Sequence, residues 1–336
     1  MLLYSITIAV LSAVWTLNLY QRWWLTLANM FALLFFTPLL LLIPAALLVR
    51  SWWLRAAAVI ALTAFLALFG ARLLPPATPA RGGAPLRVMT FNHLFSNQRI
   101  DAIIAAIRSQ NADVVALQEL SRPVASAIAQ ELHTTYPYQY LLPSDTPQGL
   151  GIISRYSFQS TAVIPYNVRG LQVTLRIDRQ SVTLIALHLS APIYKTRRIG
   201  GLPLMIGYDA NLPTRQVRQL AQMVDNVHGP LIVMGDFNTS DREPRYQVLA
   251  ARMHDAFRET GWGFGFSFPD HKRFGPVTVP FPLIRIDYIW SRSGVLPAAA
   301  HVECNNTGAD HCFLVADLRL LERGSDATAA GAENRE

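Results

Sequence analysis

Leu231-Ile232-Val233-Met234-Gly235-Asp236-Phe237-Asn238 is the stretch on which the reading of this chain turns. Four apolar residues run into a glycine, and a carboxylate, an aromatic ring and a carboxamide follow. So short an apolar run, closed by a turn residue, reads as a buried strand that stops abruptly. Gly235 permits the sharp exit. Strand spacing puts the side chains of Asp236 and Asn238 on one face, an acceptor beside an amide, which suits holding a water or a phosphoryl oxygen. Downstream, Ser240-x-x-Glu243-Pro244 reads as a capping box that opens a helix. Taken alone, Gly-Asp-Phe-Asn is equally a strand-to-loop turn. It gains weight because other apolar runs end in the same way.

Residues 86–91 form such a run and end at Asn92; residues 113–117 end at Gln118-Glu119, and 182–187 end at His188. Residues 149–153 and 173–177 are further strands. Residues 284–290 form a strand carrying Asp287, and 313–320 form the last one, preceded by Asp310-His311. Between them lie helical patterns. Ile100, Ile103, Ile104 and Ile107 share one face. Ser121 caps a helix to about Leu132, Thr214 caps one with Val217, Leu220, Val224 and Val227 inward, and a short helix surrounds Tyr246. Residues 190–212 are expected to be a loop, and 261–268 an aromatic, glycine-rich loop. Strands outnumber helices but alternate with them, which predicts an α/β domain with sheet packed on sheet and helices outside. No internal repeat and no glycine-rich nucleotide fingerprint is present.

Asn92, Glu119, His188, Asp236 with Asn238, Asp287 and Asp310-His311 therefore gather at strand ends, and if those ends converge, one mouth collects groups fit for metal and proton chemistry. Each has an ordinary alternative. Asn92 is a turn residue, Glu119 a helix-leading carboxylate, His188 a core histidine, Asp287 a partner for Arg285, and Asp310-His311 a solvated turn. The coincidence of all of them in this order is harder to ascribe to structure alone.

That order resembles the endonuclease/exonuclease/phosphatase superfamily, which includes DNase I, abasic-site endonucleases, inositol polyphosphate 5-phosphatases and neutral sphingomyelinases. Thr90-Phe91-Asn92, Gln118-Glu119, His188-Leu189, Gly235-Asp236-Phe237-Asn238, Arg285-Ile286-Asp287-Tyr288 and Asp310-His311 carry the resemblance, over residues 86–322. It implies a four-layer α/β sandwich and a divalent-metal phosphodiesterase. Glu119 matches the metal carboxylate, with Asn92 and Asp310 as metal or water-network partners; oxygen ligands favour Mg²⁺ or Mn²⁺ over zinc. Asp236 and Asn238 match the groups that position the attacking water and a phosphate oxygen, His311 with Asp287 the base or charge-stabilising pair, and His188 a donor to the phosphate or leaving group. The family often has serine before Asp-His, where this chain has Ala309, so one hydroxyl is missing from that loop. Counterparts of the long DNA-inserting loops of the abasic-site enzymes are not evident, which argues against DNA repair.

The first 74 residues differ from the rest, being almost uncharged and apolar. Residues 1–19, 23–49 (interrupted by Pro38 and Pro44) and 53–74 each approach the length of a bilayer crossing. Residues 1–19 lack a basic leader and a small-residue cleavage site, so a retained helix is expected rather than a signal peptide. Trp23, Trp24, Trp52 and Trp53 stand where interfacial aromatics stand. About three transmembrane helices at 1–74, a proline- and glycine-rich linker at 75–85 and a disordered tail at 323–336 are expected around the catalytic domain. A buried helical core is the rival reading of the apolar region. Arg50 and Arg55 favour a cytoplasmic loop and so an extracytoplasmic domain at a bacterial-type inner membrane, whereas Arg72 and Arg81 argue the other way. Cys304 and Cys312, eight residues apart, lack the ligand spacing of a zinc site and are either a disulfide or two small core thiols.

The formal net charge is +7, mostly from arginine, since Lys195 and Lys272 are the only lysines. This suits a phosphate-bearing partner but equally reflects a compositional bias. The expected function is thus a membrane-anchored, metal-dependent phosphodiester hydrolase. Its substrate is a nucleic acid, with Lys195, Arg197 and Arg198 as phosphate contacts, or a lipid headgroup, with Trp262, Phe264, Phe266 and Phe268 toward the interface. A catalytically inert binding domain is the alternative from another class. No stretch suggests a protein partner.

Overall fold

The computed structural model describes residues 1–17, 22–76, 80–165, 168–199, 202–275 and 277–321. The apolar amino-terminal region forms four helices: α1 (Leu2–Thr16), α2 (Trp23–Met30), α3 (Leu39–Leu48) and α4 (Trp52–Leu73). With 22 residues, α4 is about 33 Å long, against roughly 30 Å of bilayer hydrocarbon. Among the described residues it is the one helix long and apolar enough by itself to cross a membrane. The stretch 23–49 is broken instead of continuous: α2 and α3 are joined through the 3₁₀ turn Ala32–Phe36 and bend by 71°. Pro38, at the start of α3, lacks the amide that would continue the helix. α1 ends at Thr16, with 15 residues, short of the expected Leu19; residues 18–21 lie outside the described ones. Ala57, Ala61 and Ala64 of α4 lie one turn apart and are buried with Ile8, Trp15 and Phe36, small side chains letting the helices approach closely. Leu3, Leu40, Leu41, Leu47 and Leu48 face outward, so the unit is apolar inside and out.

The α/β region that follows is built on period-two alternation, its central strands buried on both faces. In β1 (Ala84–Asn92), Leu86 and Val88 point to one core while Met89 and Phe91 point to another. One six-stranded sheet has the order β15 (Val295–Glu303), β16 (Phe313–Leu320), β1, β2 (Val114–Gln118), β4 (Leu150–Ser154), β3 (Tyr138–Leu142). The other has the order β11 (His254–Asp255), β14 (Asp287–Arg292), β10 (Leu231–Asp236), β7 (Gln180–His188), β6 (Gly170–Ile177), β5 (Phe158–Ile164). Val88, Ala116, Ile152, Leu184, Ile232 and Met234 meet between the sheets. α5 (Ile100–Gln110) and α6 (Arg122–Glu131) cover the outer face of the first sheet, over Met89 and Val115. α7 (Asn211–Asn226) and α8 (Pro244–Ala250) cover that of the second, over Ile185 and Val233. The result is the expected four layers, helix, sheet, sheet, helix. A one-turn helix, α9 (Ala256–Thr260), closes one end.

Several local expectations need correction. Residues 190–212 are no loop: β8 (Ile193–Ile199) pairs with β9 (Leu202–Asp209) as an antiparallel ribbon, in keeping with the β-branched and aromatic residues of the segment. A second ribbon pairs β12 (Lys272–Phe274) with β13 (Val277–Val279). α7 begins at Asn211, so Thr214 sits inside its first turn rather than capping it. Glu243, not Ser240, is the N-cap of α8, and Pro244 occupies its first position; Glu243 Oε2 still accepts from the Ser240 amide at 2.8 Å. β1 starts at Ala84, inside the expected linker. Residues 77–79 of that linker and the tail from 323 lie outside the described residues.

The amino-terminal unit docks on the α/β region through polar as well as apolar contacts. Arg72 at the end of α4 pairs with Asp241 at 2.8 Å, both buried. Asn29 of α2 donates to the Arg242 carbonyl at 2.7 Å and accepts from its Nη2 at 2.8 Å. Phe264 packs edge-on against Phe69, with centroids 5.7 Å apart.

Candidate active site

Strand direction brings the candidate residues together. β1 and β2 are parallel, pairing Asn92 with Gln118, the residue before Glu119. β7 and β10 are parallel, pairing His188 with Asp236. β14 runs antiparallel to β10, so its first residue, Asp287, lies opposite Asp236. β16 runs antiparallel to β1 and begins beside Thr90, so Asp310-His311, just ahead of it, reaches the same end. Asn92, Glu119, His188, Asp236 with Asn238, Asp287, Asp310 and His311, eight residues from six segments, thus share one edge of the sandwich.

Asp236 is the hub. Its Oδ2 accepts from Asn92 Nδ2 at 3.1 Å and lies 3.5 Å from His188 Nε2 and 3.8 Å from His311 Nε2. Its Oδ1 accepts from the Asn238 amide at 2.8 Å. Asn92 Nδ2 also donates to Glu119 Oε1 at 3.2 Å, and Glu119 Oε2 takes the Phe95 amide at 2.8 Å. His311 Nδ1 is 2.9 Å from Asp287 Oδ2, a bond that fixes the ring. Arg285 is not the partner of Asp287; it pairs with Asp255 at 2.7 Å and lies 3.6 Å from Asp241. Asp310 and His311 are buried, not a solvated turn.

Two backbone positions hold the β10 exit. A Cβ at Gly235, where φ is +147°, would stand 2.0 Å from the Leu187 carbonyl oxygen, so only glycine fits. Asn238 has φ +47°, left-handed, which asparagine tolerates. It therefore does not continue the strand beside Asp236 as its spacing suggested. Its Nδ2 turns to the Leu189 carbonyl at 2.9 Å, and its amide serves Asp236.

Burial and neighbouring charge separate the two histidines. Burial and the charges of Arg169 and His311 push His188 down to about 3, so its imidazole is neutral. Burial alone would lower His311 too, but Asp287 and Asp236 outweigh it and hold the imidazolium well above the ordinary value. Burial, with Asp287 close by, raises the Asp236 carboxyl against the attraction of His311.

The donor set fits a hard divalent cation. Asp310 Oδ1 is buried with no hydrogen-bond partner, while its Oδ2 takes Lys272 Nζ at 2.6 Å. The oxygens of Glu119 each keep a second lone pair after the bonds above. Asp236, Asp287 and His311 also bring one ligand atom each within 4.8 Å of one another. His311 Nδ1, however, is committed to Asp287, and this trio reads better as a charge pair with an acceptor than as a chelate. Cys304 and Cys312, near Asp270, are joined in a disulfide and offer no ligand.

Lys195, Arg197 and Arg198 lie exposed on β8 and take no part in the hydrogen bonds that build the cluster. Sequence reasoning overlooked three nearer residues. Ser267 Oγ donates to Asp287 Oδ2 at 2.6 Å, Phe268 lies over His311 with centroids 4.7 Å apart, and Lys272 holds Asp310. Lys272 alone carried a signal, as one of two lysines in an arginine-rich chain. Beside Asp310 a cavity of about 340 Å³ is lined by Leu94, His271, Lys272, Arg273 and Asn306.

Comparison with family models matches residues 89–326 to the Endonuclease/Exonuclease/phosphatase family. The chain belongs to that family. Among solved structures, D. rerio TDP2 complexed with single strand DNA product is similar at 18% identity and TM-score 0.56, covering 70% of this chain and 99% of that one. The endonuclease/exonuclease/phosphatase from Bacteroides vulgatus is similar at 17% identity and TM-score 0.53, with coverage of 70% and 99%. The human Nocturnin catalytic domain with bound sulfate anion is similar at 17% identity and TM-score 0.51, with coverage of 73% and 99%. At these identities the similarity establishes the fold. Comparison with curated protein sequences finds no match. Endonuclease/Exonuclease/phosphatase proteins are hydrolases of phosphate esters, generally dependent on divalent metal.

Proposed function

We propose that the chain is a membrane-anchored phosphodiester hydrolase, endonuclease-like and dependent on Mg²⁺ or Mn²⁺. The observation that carries this is the convergence of Asn92, Asp236 and the His311–Asp287 pair at one edge of the sandwich. Glu119, with Asn92 hydrogen-bonded to it, would hold the cation together with Asp310, and the cation would neutralise charge on the phosphate. Asp236, with its raised affinity for a proton, accepts one from the attacking water as that oxygen bonds to phosphorus and the ester P–O bond breaks. The His311 imidazolium, kept charged by Asp287, faces the developing negative charge. His188, neutral, donates a hydrogen bond to the phosphate or leaving oxygen. Lys272 and Arg273 line the adjoining cavity as phosphate contacts.

Helices α1–α4 serve as the anchor, α4 crossing the bilayer and the bent α2–α3 pair giving at most one further crossing, with the catalytic domain outside the cytoplasm; the Cys304–Cys312 disulfide supports an oxidising compartment. A second reading, a lipid phosphodiester substrate, is favoured by one contact. Met30 of α2 packs with Ile284, Ile286 and Phe268, so the apolar unit adjoins the residues flanking Asp287 and His311.

The test assays the full chain on plasmid DNA, on phosphatidylinositol and sphingomyelin vesicles and on a chromogenic phosphodiester, with Mg²⁺, Mn²⁺ or EDTA. Turnover is expected with either metal and not with EDTA, and Asp236→Asn is expected to lower it by about 10²-fold or more. Cleavage of vesicles alone selects the lipid reading. An unchanged rate in Asp236→Asn, or metal-independent turnover, overturns the mechanism.

A further inference from the structure

Where the last turn of α4 meets the catalytic domain, a cavity of about 350 Å³ opens between Arg72, Leu74 and Pro76 on one side and Phe257, Arg258 and Phe264 on the other. This lies within the size range of small-ligand sites, about 300–1,000 Å³. None of the residues of the candidate active site lines it. Two carboxylates do, and both are engaged. Asp241 holds Arg72 at 2.8 Å and lies 3.6 Å from Arg285, and Glu259 Oε1 is 2.9 Å from His254 Nδ1.

The cations are matched less completely. Arg72 is only 8% exposed, and its Nε is buried with no hydrogen-bond partner. The Arg258 side chain makes no hydrogen bond or ion pair among the described residues; only its backbone amide is engaged, by Asp255. Burial and the charge of Arg72 hold its guanidinium below the usual range. Arg285 lines the cavity too but is held by Asp255 at 2.7 Å; the other two guanidinium groups, Arg72 and Arg258, repel each other, and an anion between them would replace repulsion with two attractions and give Arg72 Nε an acceptor.

We propose that this cavity is a seat for a phosphate group, formed jointly by Arg72 of α4 and Arg258 of the catalytic domain. Guanidinium forks match phosphate oxygens in shape as well as charge. Leu74, Pro75 and Phe264 give the lining an apolar part at the end of α4, as a phospholipid headgroup with its glycerol would require if α4 is a membrane anchor. A soluble phosphate shares the same chemistry. Because one wall comes from α4 and the other from the catalytic domain, occupancy fastens the two units together. The proposal stands independently of the hydrolytic reading, and its lipid form rests on the reading of α1–α4 as a membrane anchor.

The test measures the unfolding temperature of the full chain in neutral detergent, alone and with inorganic phosphate, phosphatidylglycerol or phosphatidylcholine. The parent is compared with Arg258→Gln and Arg258→Lys. At a hundredfold excess over Kd the parent is expected to rise by roughly 4 °C, Arg258→Lys by less, and Arg258→Gln not at all. A rise with phosphatidylglycerol but not with inorganic phosphate identifies a lipid headgroup, and equal rises identify a soluble anion; both support the seat. No rise in the parent with any of them, or the same rise in Arg258→Gln, overturns it. Should Arg258→Gln fail to fold, Arg258→Lys decides, since a rise equal to that of the parent removes the fork from the argument.

Discussion

Asp287 touches the cluster through His311, and on the proposed mechanism its effect should therefore be legible in a pH profile. Its carboxylate sits 2.9 Å from His311 Nδ1 and, after burial, is the first-ranked influence on that ring, raising its affinity for a proton. A rate that needs the imidazolium is lost as pH rises through the folded-state value. In Asp287→Asn, that alkaline limb is expected to move to lower pH while the acidic side keeps its place; an unmoved limb would mean that His311 acts in its neutral form. Gly235 presents the opposite kind of constraint, purely steric. Gly235→Ala sets a methyl 2.0 Å from the Leu187 carbonyl, and the expected cost is about 3 kcal/mol or more, measurable by denaturant unfolding. Membership of the site was legible in the sequence because strand ends repeat the pattern of apolar run and polar stop. Ser267 and Phe268 were not, because they arrive from a loop through tertiary contacts that no local spacing records. Asn238 was half legible: its residue type was read, but not the left-handed turn that redirects it to Leu189.

At the scale of elements, the loop between β15 and β16 carries Asp310 and His311 and is closed by the Cys304–Cys312 disulfide immediately beside them. Opening so short a loop is worth about 2.5 kcal/mol in chain-entropy terms. Cys304→Ser with Cys312→Ser is expected to lower the unfolding temperature and to lower kcat more than it changes KM, because what loosens is the placement of His311. Equal activity at full occupancy would show that β16 alone positions the loop. The central strands were legible as continuous apolar runs, being buried on both faces. The edge strands β3 and β5 were not: they are largely solvent-facing, and their sequences carry little apolar contrast. The β8–β9 ribbon was hidden for a related reason, since its strands pair only with each other and, with Tyr208 packed on Met30, Ile284 and Ile286, it lies outside the sandwich cores that impose alternation.

At the scale of the molecule, Arg72 and Asp241 join the apolar unit to the sandwich, with Arg285 behind them. Burial alone would raise the Asp241 carboxyl, but Arg72, Arg285 and Arg242 outweigh it and hold it below its ordinary value. A carboxylate depressed in the folded state contributes stability above the unfolded value of about 3.9 and loses it as pH falls through the folded value. The junction is therefore expected to be acid-labile, with hydrogen exchange at residues 68–73 rising at low pH before that of β10. Asp241→Asn leaves two buried guanidinium groups short of a counter-charge, at an expected cost of about 3–5 kcal/mol; a change below 1 kcal/mol, in urea unfolding of the full chain, would relegate the pair to a minor contact. The division into an apolar unit and a mixed α/β unit was plain from composition. The docking was not, because Arg72 and Asp241 are far apart in sequence and each alone looks like a surface charge.

The bonds from Asn92 to Asp236 and from His311 to Asp287 both run from one sheet to the other. Neither half of the sandwich owns a complete set of reactive groups. On the proposed mechanism, activity becomes an alignment tolerance between two slabs, adjustable from far away: trimming Val88 or Met234, deep in the filling between them, is expected to lower the rate while every side chain of the cluster stays intact.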